Sequence, residues 1–84
     1  MDAPLRVLAS AILFRAVLRA WPERPSAEQK MRIHQRAEEA AWALPKGMLL
    51  LVEGRDVEDG VPEAAEWTSL VATLVAEGLN TPGT

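Results

Sequence analysis

Apolar residues in this chain fall into four blocks, separated by proline and glycine. The first block, LRVLASAILFRAVLRAW over residues 5–21, carries more apolar side chains than one buried helix face needs. At about 100° per residue, Leu5, Ala9, Ile12, Leu13, Ala16 and Ala20 gather on one face of a helix. Val7, Ala11, Phe14, Leu18 and Trp21 gather on the opposite face. Arg15 and Arg19 share one seam between these faces, and Arg6 with Ser10 occupies the other. Asp2 or Ala3 caps this helix, and Pro4 suits its first turn, where a missing N–H costs nothing. It runs to Trp21, because Pro22 and Pro25 end it. A helix with two apolar faces is one covered from two sides.

The second block opens on Ser26 with Gln29 three residues on, the pattern of a capping box. It predicts a helix from Ala27 to Leu44, stopped by Pro45. Its stripe is Ile33, Ala37, Ala40, Ala41 and Leu44, and the alanines admit a close neighbour. The third block, Met48 to Val52, reads either as a buried strand or as a short helix. Its leucines favour helix, and no other segment offers a strand partner, so a short helix ending near Gly54 is expected. The fourth helix opens at Pro62, with Glu63 and Glu66 near its positive end. Trp67, Leu70, Val71, Leu74 and Val75 form its stripe, and Gly78 reads as a left-handed cap with Leu79 folded back. The expected fold is all-α: a small bundle of three main helices plus one short helix. Residues 1–79 form a single helical domain and 80–84 a tail.

Size bears on how such a bundle is stabilised. The chain has 84 residues, just above the length of roughly 70–80 below which a single core supplies only about 3–5 kcal/mol. With no cysteine, disulfides and cysteine zinc sites are excluded, and one histidine makes no metal cage, so no metal or cofactor is expected. Self-association is the remaining remedy. The second face of the first helix is therefore expected to meet another chain, its own copy or a partner, most simply in a twofold dimer through Val7, Phe14, Leu18 and Trp21; the alternative is a compact monomer wrapped around that helix. Asp2 ahead of the apolar run, and Arg6, Arg15 and Arg19 within it, argue against a secretory signal or a membrane span. A cytoplasmic protein is expected. Abundant Ala and Arg with scarce Asn and Ile suit a GC-rich bacterial or phage genome.

Candidate chemistry is sparse. His34 and Glu38 stand one helical turn apart, the spacing of a metal or acid–base pair, but no further ligand joins them, and a solvated pair explains them. EGRDVEDG resembles a calcium loop only superficially. Counting back from Gly60, the three acidic positions hold Arg55, Val57 and Asp59. Gly47, Gly54 and Gly60 lack the spacing of a phosphate loop. No catalytic constellation stands out, and the chain is expected not to be an enzyme.

Charge divides the chain more clearly. Residues 1–44 carry a net +2 and residues 45–84 a net −5. The acidic Asp56, Glu58 and Asp59 are candidates for contact with a basic protein surface. Trp42 lies off the second helix's stripe, in line with Met31, Gln35 and Glu38, and is the best candidate for an anchor on a partner. These features point to a non-enzymatic interaction module: an adaptor, assembly factor or inhibitor of a larger protein. The alternative is a nucleic-acid-associated regulator using Arg24, Lys30, Arg32 and Arg36. An isoelectric point near 5.0 argues against direct nucleic-acid binding.

Overall fold

A computed structural model of the chain describes residues 2–80. They form four helices: α1 (Ala3–Ala20), α2 (Ala27–Ala43), α3 (Lys46–Leu49) and α4 (Ala65–Asn80). Two 3₁₀ turns, Leu50–Val52 and Val57–Asp59, complete the set, and there is no strand among the described residues. No described helix is long and apolar enough to cross a membrane.

The ends of α2 follow from local chemistry. Gln29 N–H donates to Ser26 Oγ at 3.1 Å, and Ser26 N–H donates back to Gln29 Oε1 at 2.8 Å. Leu44 turns extended ahead of Pro45 and closes the helix. Pro22 ends α1 in the same way, leaving Trp21 extended at its cap. The ambiguous third block is helical, running as α3 into the first 3₁₀ turn, and Gly54 then reverses the chain at a φ of 81°.

α1 and α2 lie antiparallel, with Arg6 beside the end of α2 and Phe14 beside His34. Ala9, Ile12, Leu13 and Val17 of α1 are buried against Ile33, Ala37, Ala40 and Ala41 of α2. Small residues in α2 permit this close approach. Trp67 and Leu74 of α4, together with Leu49 and Val52, complete one continuous core.

Two features of α1 differ from the projection. Ala20 is exposed, whereas Ser10 and Val17 are buried. The reason is that α2 covers the Arg6–Ser10 seam rather than the middle of the Ala9 face, so it shelters neighbours on both faces. Phe14 and Leu18 are thereby half-buried against the core. Trp21, expected at an oligomer interface, is buried within the chain instead.

α4 departs from expectation at both ends. It begins at Ala65 rather than Pro62, because the Ala64 carbonyl is the first to accept helical N–H donors, those of Trp67 and Thr68. Gly78 is no left-handed cap: only Gly54 and Gly60 among the described glycines have positive φ. α4 passes straight through Gly78, and Leu79 is exposed rather than folded back. Glycine is required there for another reason. A Cβ at Gly78 would lie 2.9 Å from Cζ3 of Trp21, and closer still to Cη2, so the indole rests directly on the α4 backbone. Asn80, assigned to the tail from sequence, is the last residue of α4, and residues 81–84 lie outside the described residues.

Arg6 fastens the other end of the α1–α2 pair. Its Nη1 donates to the carbonyls of Ala41 (3.0 Å), Trp42 (3.1 Å) and Leu44 (3.0 Å), and its Nη2 donates to Asp2 Oδ2 at 3.1 Å. Carbonyls at the end of a helix lack intrahelical partners, and the guanidinium meets the negative pole there. Arg6→Met, which keeps the apolar stem, is expected to cost about 2 kcal/mol in chemical denaturation. The Arg6 hydrogen bond, followed by its charge, holds the Asp2 carboxyl below its ordinary value of 3.8. A carboxylate with a lowered folded pKa stabilises above its unfolded value and loses that contribution as pH falls through the folded one. Arg6→Met should therefore also remove the acid-side part of the stability profile that Asp2 supplies.

Candidate interaction face

Val7, Ala11, Phe14 and Leu18 recur along α1 at steps of four, three and four. Met31, Gln35, Glu38 and Trp42 recur along α2 at the same steps, on the side away from its buried stripe. Because the helices are antiparallel, these two ladders flank a groove of about 420 Å³. Val7, Ala11 and Phe14 line one wall, and His34, Glu38 and Trp42 line the other. Val7 is 62% exposed and Trp42 51% exposed, and Met31 on the α2 ladder is 65% exposed.

His34 meets Phe14 edge to face, with ring centroids 5.3 Å apart and an interplanar angle of 73°. This contact, rather than a bond to Glu38, accounts for its position. Arg15 and Glu38 both line the groove, and neither has a hydrogen-bond or ion-pair partner among the described residues. The groove thus carries an unpaired cation on the α1 side and an unpaired carboxylate on the α2 side.

The sequence pattern assigns Val7, Phe14, Leu18 and Trp21 to a dimer contact and Trp42 to a foreign partner. The structure brings Val7, Phe14 and Trp42 to one groove, with Leu18 farther along the α1 ladder. Trp21 belongs elsewhere. It lines a larger cavity of about 820 Å³ between the end of α1, the first half of α2 and the end of α4. Val17, Ile33 and Leu74 also line that cavity, and Arg36 pairs with Glu77 across it at 3.2 Å. The buried indole N–H of Trp21 has no acceptor among the described residues.

Asp56, Glu58 and Asp59 are not part of the groove. Two of them build their own turn: Asp56 Oδ1 accepts the Val57 N–H at 2.7 Å, and Asp59 Oδ2 accepts the Asp56 N–H at 2.8 Å. Arg55 braces the segment by donating to the carbonyls of Asp59, Gly60 and Val61. Glu58 is exposed. On α2, Arg32 approaches Glu28 at 3.8 Å, and Arg36 pairs with both Glu39 and Glu77, so carboxylates offset these cations. Among the described residues, no three His, Asp or Glu side chains converge as a metal site would require.

Sequence reading missed the clasp made by Arg6. The i, i+4 spacing of Asp2 and Arg6 predicts their ion pair, but nothing in the pattern marks the distant carbonyls that Arg6 also serves.

The class defined by this geometry is a small all-helical protein with an uncovered two-helix groove. No family model, curated protein or solved structure matches the chain.

Proposed function

We propose that the chain is a non-enzymatic, cytoplasmic protein–protein interaction module: an adaptor, assembly factor or inhibitor that docks through the α1/α2 groove. The observation that carries this reading is the pair of exposed side chains, Trp42 and Val7, on opposite walls of that groove. Apolar side chains grouped on a monomer surface mark interaction sites, and tryptophan is the most frequent anchor at such sites. The acidic segment supports the reading less directly. Asp56 and Asp59 serve the turn, which leaves Glu58 as the side chain free to steer a basic partner. The nucleic-acid alternative is weaker, because Arg32 and Arg36 already meet carboxylates.

Affinity capture from the native host tests this, using the wild type beside Val7→Asp and Trp42→Ala. Both positions are exposed, so each variant should keep its fold, with stability changes within about 0.5 kcal/mol for Val7→Asp. Proteins retained by the wild type should be lost from both variants and kept by Glu58→Gln. Equal capture by all the variants would remove the groove from consideration. Charge reversal at Asp56 or Asp59 is a poor probe, since it breaks the turn.

A further inference from the structure

Resting on the reading of the groove as a docking surface, we infer that its occupant is a second copy of this chain, with α1 of each copy seated over α2 of the other. The two walls carry apolar and polar positions at identical four-three-four steps in antiparallel order. A twofold axis running along the groove exchanges the walls. It keeps every facing pair of helices antiparallel and every level in register. Val7 of each copy then meets Trp42 of the other, the two pairs lying side by side at one end of the interface, and each exposed apolar residue of the two ladders is covered by its counterpart.

Charge selects this arrangement over its rival. Arg15 and Glu38 line the same groove and lack partners within the chain. The twofold along the groove sets Glu38 of each copy opposite Ala11 of the other, one helical turn from Arg15, whose long side chain leans back along the helix and spans that turn, which gives two cross-chain pairs. A twofold across the groove would instead lay α1, with Arg15 and Arg19, along the α1 cations of its mate. Like charges facing one another oppose association.

Size is compatible with a dimer. Helices of 18 and 17 residues side by side present a face about 27 Å long and about 18 Å wide. That footprint, about 490 Å², is smaller than the roughly 800 Å² per partner of standard interfaces and fits a weaker, concentration-dependent dimer. A chain of 84 residues without disulfides also gains stability from such an assembly.

Sedimentation equilibrium on the full chain over a micromolar range provides the test. The average mass should rise with concentration from 9.2 kDa toward twice that value. Arg15→Glu and Glu38→Arg should each raise the dimer Kd about tenfold, because two pairs become two like-charge contacts. Combining them should restore the Kd to within about threefold of wild type, since the pairs re-form with reversed sign. Both residues are exposed, so circular dichroism should show the helices intact in every variant. A wholly monomeric chain would overturn the inference. So would a dimer indifferent to the single substitutions, or one weakened by them without rescue. A monomer whose captured partners are still lost on Val7→Asp would sink the dimer and leave the docking function standing. A monomer with unchanged capture would sink both.

Discussion

Trp67→Ala is expected to leave the chain largely unfolded. Trp67 is the largest fully buried side chain, at 0% exposure, and it joins α4 to the rest of the core. Truncating a buried tryptophan typically costs about 3–5 kcal/mol through lost burial and the cavity that remains. Its Nε1 also donates to the carbonyl of Met48 in α3 at 3.1 Å, so the change strands that acceptor, at roughly 1 kcal/mol more. A domain of this length has only about 4–12 kcal/mol in total, from about 0.05–0.15 kcal/mol per residue. The expected loss therefore consumes much or all of it. Urea titration followed by far-ultraviolet circular dichroism would measure the change. Trp67→Phe, which keeps an aromatic ring but drops the N–H, should fall between the two. A native-like midpoint for Trp67→Ala would show that α4 is not held as described.

Gly78→Val is expected to cost about 3 kcal/mol, the upper part of the range for forcing extra atoms into a packed site. On an isolated helix, replacing glycine by almost any residue other than proline is favourable. The sign reverses here because the Trp21 indole occupies the space that a side chain needs. A rigid bicyclic ring buried between α1 and α4 cannot swing aside without opening the core. The two sites are therefore coupled. In a Trp21→Ala background, Gly78→Val should cost nothing or even stabilise, because the obstruction has gone. Additive effects in that double-mutant cycle would mean the ring does not rest on Gly78.

These two residues also mark where sequence reasoning fails. A glycine three residues from the end of an apolar stripe obeys the local rule for a cap, and only a ring contributed by the far end of α1 explains it. Trp21 was misplaced for a related reason. It stands at the cap, one residue past the last helical position, and beyond it the chain bends at Pro22. What was legible rested on local chemistry. The Ser26–Gln29 box and Pro45 bound α2, and all five residues of its predicted stripe are buried. Met48 to Val52 is helical, as its leucines predict, because a strand there would have no partner among the described residues. Each wall of the groove is visible as a periodic ladder, but their meeting depends on the direction in which α1 and α2 pack. The role of Arg6 was invisible because its acceptors are backbone atoms, which leave no imprint on residue type.

The groove has one further consequence. Every side chain that lines it lies between Val7 and Trp42, whereas Leu49, Val52, Trp67 and Leu74 touch it only through the core behind. The groove is thus written in α1 and α2 alone, whereas the core behind it is drawn from the whole chain. The aliphatic positions of α4 are constrained by packing volume, so an exchange at Leu70 or Val75 leaves the groove unaltered. In the first half, a single exposed position such as Val7 can change without disturbing the fold and yet reshape the wall of the groove. The groove can thus vary at its exposed positions while the scaffold stays the same.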